Sequence, residues 1–324
     1  MHITFYANHH YYGGLNNTGG SRTIVRSARA LRELGHEVVI VAPVDRYTWE
    51  SHVRAVKHMP DKTDMVVAVS SCDIKPMMKE CEGLPMAYWM RGWEVWQQPE
   101  QKILKRVSKL YRKGGAILTN ASHLTRKIHK LAGVDAYTCY AGLDLDEACN
   151  VGLRRPGRVR VGCLYPASGK RSTLHKTKRW EDFAALAETL GFKDYEYVAF
   201  GNNKDARHWL KRYVCRPTVG EKNALYNSCH VWFAPSVSEG FQNPPSEAGL
   251  CGCLIVANAC ASSGTHDYCN DKTAMQYTNL REAAEQIRHP DYRKVKLMHT
   301  TLTKNIGGRR TNMQRLVCIV KGER

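Results

Sequence analysis

The sequence predicts an α/β protein of two Rossmann-like domains facing a central cleft, and three observations carry that prediction. At 324 residues the chain exceeds one ordinary core and suits two domains of about 150 residues each. Short apolar runs alternate with amphipathic helical stripes, the pattern of a parallel sheet covered by helices. That alternation runs through one series, stops at a stretch rich in Gly, Pro and Arg, and begins again.

In chain order, "ITFYA" reads as the first strand. "SRTIVRSARALRELG" follows as a helix with Ile24, Val25, Ala28, Leu31 and Leu34 on one stripe, and "HEVVIVA" as the second strand. Further strands are expected at "DMVVAVS", "PMAYWM", "GAILTN" and "AYTCYA", closing the first half near Asp146. "CNVGLRRPGR" is the linker candidate. The second series is "RVRVGCLYP", "YEYVAFG", "HVWFAPS" and "CLIVANA", each followed by a turn or helix. The expected domains are residues 1–150 and 151–300, with a basic tail, 301–324, packing back toward the first. There is no short-period repeat and no low-complexity tract.

An apolar share of 43% excludes a disordered chain. No run approaches the roughly 18 apolar residues of a membrane span, and "MHITFYANHH" meets histidines too soon for a signal peptide. The expectation is a cytoplasmic protein whose 12 cysteines are reduced. Cys251, Cys253, Cys260 and Cys269 form the nearest thing to a metal cluster, but the C-x-C spacing is tighter than zinc pairs and lies in an apolar run, so no metal is expected.

The charge is more informative. Lys and Arg number 48 against 30 Asp and Glu, a net +18, and the excess is clustered. Residues 101–132 and 149–180 each contain basic residues and no acid, and after position 292 the only acid is Glu323. Such clustering speaks of polyanionic partners rather than of fold. In "PEQKILKRVSKLYRKG", Ile103, Leu104, Val107, Leu110 and Tyr111 lie on one side of a helix and Lys102, Lys105, Arg106, Lys109, Arg112 and Lys113 on the rest.

The stretch "SEGFQNPPSEAGLCG" carries the candidate chemistry. "HVWFAPS" before it is a buried-strand pattern, and "PPSEAGLCG" reads as a helix whose first turn tolerates prolines. Glu239 to Asn243 therefore form a loop at the carboxyl end of a parallel strand, where open α/β sheets bind ligands. Loop N–H groups and the positive end of the helix suit a diphosphate. A carboxylate accepts two hydroxyls at once. Glu247, expected on the first turn, is placed for a ribose diol, and Glu239 for sugar hydroxyls.

The pattern E-G-F-x-x-x-P-x-E-A, followed by a Cys/Gly turn and "LIVAN", resembles the E-x7-E signature of retaining GT-B glycosyltransferases, particularly glycosyltransferase family 4. "GGSRTIVRSARALRELGHEV", "TNASHLTRKI", "CYAGLDLD" and "EKNALYNSCHVWFAPS" resemble other segments of that family, in its order. The resemblance implies a GT-B fold and a nucleotide-sugar co-substrate, UDP-sugar rather than GDP-sugar, with no cofactor and no metal. Glu247 would bind the ribose, Glu239 the donor sugar, and the backbone at Phe241, Gln242 and Asn243 the diphosphate and sugar. Gly20, expected in the loop after the first strand, would admit the diphosphate closely. The family's charge-stabilising Lys matches Lys178. Arg171 and Lys170 are candidates for its Arg partner. His9, His10, Arg91 and Trp93 are the acceptor-side candidates, although loop histidines are commonly only solvated and tryptophans commonly seal a core.

Three acceptors fit a basic enzyme of this kind. A hydroxymethylated base in DNA, as in some bacteriophage enzymes acting in the host cytoplasm, suits charge spread over both domains. A lipid-linked acceptor at an anionic membrane suits a basic amphipathic helix, and a soluble saccharide needs no such charge. A non-catalytic polyanion-binding protein of the same fold is the alternative from another class. DNA is the reading taken forward.

Overall fold

The computed structural model describes residues 1–8, 15, 19–43, 53–95, 98–154, 156–166, 173–204 and 207–323. It divides into two compact units, Met1–Gly142 with Gly308–Arg324, and Leu143–Gly307.

In the first unit, β1 (His2–Tyr6), α1 (Gly19–Glu33) and β2 (Glu37–Val41) are followed by β3 (Arg54–Val56) and β4 (Met65–Ala68). Then come α2 (Ile74–Glu80), β5 (Met86–Met90), α3 (Glu100–Arg112), β6 (Ala116–Thr119), α4 (Ser122–Ala132) and β7 (Tyr137–Thr138). Among the described residues the strands form one sheet of order β3-β2-β1-β4-β5-β6-β7, parallel throughout. Parallel strands are buried on both faces, which is why β4 is apolar at every position. Ile24, Val25, Ala28 and Leu31 of α1 are fully buried as their spacing predicts.

The second unit runs β8 (Val159–Tyr165), α5 (Thr173–Lys178), α6 (Trp180–Leu190), β9 (Tyr195–Gly201), β10 (Arg212–Cys215) and α7 (Val219–Ser228). It continues with β11 (Val231–Ala234), α8 (Asn243–Leu250), β12 (Leu254–Asn258), β13 (Met275–Tyr277), α9 (Leu280–Arg288) and α10 (Arg293–Thr301). Its sheet, β10-β9-β8-β11-β12-β13, is also parallel. The strands that sequence reasoning passed over, β3, β10 and β13, are three or four residues long. They are edge strands with mostly part-exposed positions, so no buried apolar run marks them.

After Gly307 the chain returns to the first unit as α11 (Arg309–Lys321). Met313, Leu316 and Val317 of α11 join the apolar cluster of Ile24, Val25 and Ala28. The junctions fall at 142 and 307, against 150 and 300 expected, because the two crossings are tied to each other. The Leu143 N–H donates to the Gly307 carbonyl at 3.0 Å, and Arg309 Nη1 donates to the Ala141 carbonyl at 3.0 Å. Among the described residues no helix is long and apolar enough to cross a membrane. All twelve cysteines are free; Cys251, Cys253 and Cys269 are buried and Cys260 is exposed.

Gly142 sits at the first crossing with φ +75°, and a Cβ there would lie 2.4 Å from the Arg309 Cα. Gly35 has a similar φ, +85°, with nothing within 4 Å. Gly35→Ala is therefore expected to cost about 1 kcal/mol, and Gly142→Ala about 3 kcal/mol or more, compared by urea denaturation followed through probes in the first unit.

Candidate functional site

The site is built where β11 ends. All four of its residues are buried between β8 and β12, and the loop that follows is held by backbone bonds on two sides. Val237 N–H donates to the Thr177 carbonyl at 2.9 Å, Ser262 N–H to the Val237 carbonyl at 2.9 Å, and Glu239 N–H to the Ser262 carbonyl at 3.1 Å. Gly264 N–H donates to the Gly240 carbonyl at 2.7 Å.

Gln242 is buried. Its Nε2 donates to Ser263 Oγ at 3.0 Å, and its carbonyl accepts the Tyr268 hydroxyl at 2.8 Å. The Phe241 ring packs on Tyr268 with centroids 5.3 Å apart.

Gln242 is the residue before the helix, and Pro244 and Pro245 fall in the first turn of α8. The prolines delete two of the N–H groups that a helix start normally leaves unpaired. The donors near this end therefore shift upstream. Among the described residues, the N–H groups of Gly240, Gln242 and Asn243 donate to nothing within the protein. The helix dipole still favours negative charge there.

Glu239 is ion-paired with Lys178. Lys178 ends α5, and the next residue, Arg179, takes a left-handed φ of +52° that separates α5 from α6. The Arg179 guanidinium grips Asp182, with Nη2 to Oδ1 at 2.8 Å. Trp180, 2% exposed, fixes the start of α6 by packing on Tyr165, 4.3 Å between centroids. Lys178 thereby lines a depression with Trp232, Ser236, Gln242, Pro244 and Pro245.

Glu247 is the fifth residue of α8, at the start of its second turn, because the helix begins at Asn243, one residue before the start read from sequence. Its carboxylate accepts Lys222 Nζ at 2.7 Å and the Tyr226 hydroxyl at 2.8 Å. Lys222 and Tyr226 are one turn apart on α7, whose start is locked by a Thr218/Glu221 capping box. Burial first, and Glu247 second, push the Tyr226 phenol well above its ordinary range, so it stays a proton donor. Glu247, Lys222, Asn223 and Tyr226 line a second depression with Asp144, Glu147 and Ala148. Lys222 and Tyr226 escaped sequence reasoning. Their i, i+4 spacing in "EKNALYN" marks one helix face, but no pattern pairs α7 with α8.

In the first unit, Gly20 lies within the first turn of α1 rather than in a loop, and its carbonyl accepts Arg91 Nη1 at 2.7 Å. Arg91 Nη2 donates to the Val69 carbonyl at 3.0 Å, so the guanidinium ties α1 to the ends of β4 and β5. Trp93 Nε1 donates to Glu100 at 2.9 Å, and Lys127 Nζ sits 4.1 Å from the Trp93 ring centroid. Glu94 is buried, 4% exposed. It accepts the Ser71 N–H at 2.7 Å and the Ser71 hydroxyl at 2.6 Å. Arg106, grouped in sequence with the basic helix face, instead turns inward to the Ser71 carbonyl and Gln98. His9, His10, Lys170 and Arg171 lie outside the described residues.

No protein-family model matches the chain, and no curated protein is significantly similar to it in sequence. Solved structures match nearly its whole length. Sucrose-phosphate synthase from Thermosynechococcus elongatus superposes with TM-score 0.77 at 11% identity, over 99% of this chain and 98% of that one. Anabaena HepE in complex with UDP-glucose gives 0.75 at 11% identity, over 99% and 100%. A glycosyltransferase from Rickettsia africae gives 0.77 at 12% identity, over 99% and 98%. At these identities the likeness establishes the fold, two parallel-sheet Rossmann-like domains matching GT-B structures.

Burial raises the Glu94 carboxyl above its usual range, against the pull of Ser71 and Arg91. A carboxyl raised in the folded state favours folding below its unfolded value, about 4.3, and loses that contribution as pH rises through the folded value. The stability of the native chain minus that of Glu94→Gln should fall as pH is raised from about 4, read from hydrogen exchange of the β4 and β5 amides. A difference that is flat or rising with pH would refute a strained, buried carboxylate.

Proposed function

We propose that the chain is a retaining, metal-independent glycosyltransferase that moves a sugar from a UDP-sugar to a hydroxymethylated base in DNA. The observation that carries the transferase reading is the pairing of Glu239 with Lys178 and of Glu247 with Lys222 and Tyr226, around a loop in which, among the described residues, the Gly240, Gln242 and Asn243 N–H groups stand unpaired. UDP is favoured because HepE, of like fold, is described in complex with UDP-glucose.

Each carboxylate has about four acceptor positions. Lys222 holds one oxygen of Glu247 and the Tyr226 hydroxyl the other, and a ribose diol would compete for that carboxylate. Donor sugar hydroxyls compete for Glu239 and release the Lys178 ammonium toward the diphosphate. As the bond from the anomeric carbon to the diphosphate oxygen breaks, charge grows on that oxygen. Lys178 and the Gly240, Gln242 and Asn243 N–H groups stabilise it, with Arg171 as the proposed second cation. The acceptor hydroxyl oxygen bonds the anomeric carbon from the same face and passes its proton to the departing diphosphate. On the first unit, His9, His10 and Trp93 are the proposed acceptor-side groups, while Arg91 is committed to two carbonyls.

The DNA acceptor rests on the net charge of +18 and its spread over acid-free stretches of both halves.

The test is sugar transfer from a panel of labelled sugar nucleotides to hydroxymethylated duplex, unmodified duplex and anionic vesicles. Label is expected on the hydroxymethylated duplex alone. Glu239→Ala should lower the rate by about 100-fold or more and spare duplex binding. Glu247→Ala should raise the donor KM more than it lowers kcat. Undiminished transfer by Glu239→Ala sinks the site assignment, and label on vesicles alone sinks the acceptor.

A further inference from the structure

The first unit carries a surface that this chemistry does not use. Helices α3 and α4 pack against each other, and their apolar residues Ile103, Val107, Leu110, Leu124 and Ile128 are consumed by the core at 0–1% exposure. What faces solvent is basic: Lys102, Lys105, Lys109, Arg112 and Lys113 on α3, with Arg126 and Lys130 on α4. Residues 101–132 contain no Asp or Glu. The acids that reach this face are Glu82, 3.5 Å from Lys113, and Asp135, which accepts the Tyr111 hydroxyl at 3.3 Å and lies 3.5 Å from His129. Among the described residues Lys102, Lys105, Lys109 and Lys130 belong to no ion pair.

Positions 102, 105, 109 and 112–113 recur every three or four residues, so their side chains form one row along α3. Like charges at that spacing weaken a helix, and here, among the described residues, no ion pair offsets Lys102, Lys105 or Lys109. The row has a use if its counter-charge is external. It also starts beside the end of β5, where Trp93 is bonded to Glu100 of α3 and capped by Lys127 of α4.

We infer that the α3/α4 face binds the phosphate backbone of a nucleic-acid duplex. An interfacial membrane helix must place its apolar face in lipid, and here that face is inside the protein except for Tyr111 and Leu131. From Lys102 to Lys113 the helix rises about 16 Å, a length over which a duplex carries about ten phosphates. The choice of DNA over other duplexes rests on the acceptor proposed above; the surface itself does not.

The experiment is fluorescence anisotropy of a short labelled duplex with the full chain, between about 50 and 200 mM salt. The native chain is expected to bind with log K falling linearly against log salt. K105Q/K109Q/K130Q should bind at least about tenfold more weakly, with a slope shallower by about 2.7, or 0.9 for each lost phosphate contact, and with an unchanged thermal transition.

Binding by the triple variant equal to the native chain overturns the inference. So does a native chain that ignores duplex and sediments with phosphatidylglycerol vesicles. Duplex bound through this face without sugar transfer overturns the acceptor and keeps the surface. Transfer to duplex with unchanged acceptor KM in the triple variant does the reverse.

Discussion

Parallel pairing of β11 between β8 and β12 is the constraint on which the candidate site depends. Strands of a parallel sheet end on one edge, so the loops leaving β11 and β12 converge without any specific attraction between them. The bonds Val237 to Thr177, Ser262 to Val237 and Gly264 to Gly240 then turn convergence into a fixed loop. Because Gln242 is anchored through both its side chain and its carbonyl, the Gly240, Gln242 and Asn243 N–H groups are held in a fixed loop without an acceptor among the described residues. The double proline sharpens this. It keeps the dipole of α8 while removing donors from its first turn, so negative charge is met by the loop before the helix.

The two glutamates are set by cations from other elements. Lys178 and Lys222 are 21% and 12% exposed, and Glu239 and Glu247 16% and 18%, so these pairs are screened less than surface bridges. Holding each lysine in place needs a local device. For Lys178 it is the left-handed Arg179 and the buried Trp180; for Lys222 it is the capping box at Thr218. The left-handed residue costs about 1 kcal/mol or more on its own, and the Arg179–Asp182 grip offsets part of that. The lysines are thus held beside the carboxylates in partly buried pairs.

The first unit uses its polar groups differently. Glu94, Ser71, Gln98 and Arg106 form a chain of hydrogen bonds, and Arg91 holds the Gly20 and Val69 carbonyls. What the packing leaves over is a positive face on α3 and α4. Two helices buried through one stripe each can carry any charge on the other side, so fold alone places no demand for lysine there.

Much of this was legible in the amino-acid order. The α1 stripe, the twofold series of strands, and a loop followed by a proline-started helix between β11 and β12 all follow from periodicity and from proline chemistry, which are local properties. Short edge strands such as β3 and β13 were not legible, since no buried apolar run marks them and they are recruited by a neighbour already in place. Glu239 and Glu247 were marked by their position at a strand end, but their partners Lys178, Lys222 and Tyr226 come together only because helices separated in sequence pack on one sheet. The junctions at 142 and 307 were likewise decided by a bond between Leu143 and Gly307. Sequence by itself determined most of the helices and the longer strands, and marked a strand-end loop as the candidate site. Tertiary structure decided which charges meet, because ion pairs and crossings join positions that no local periodicity relates.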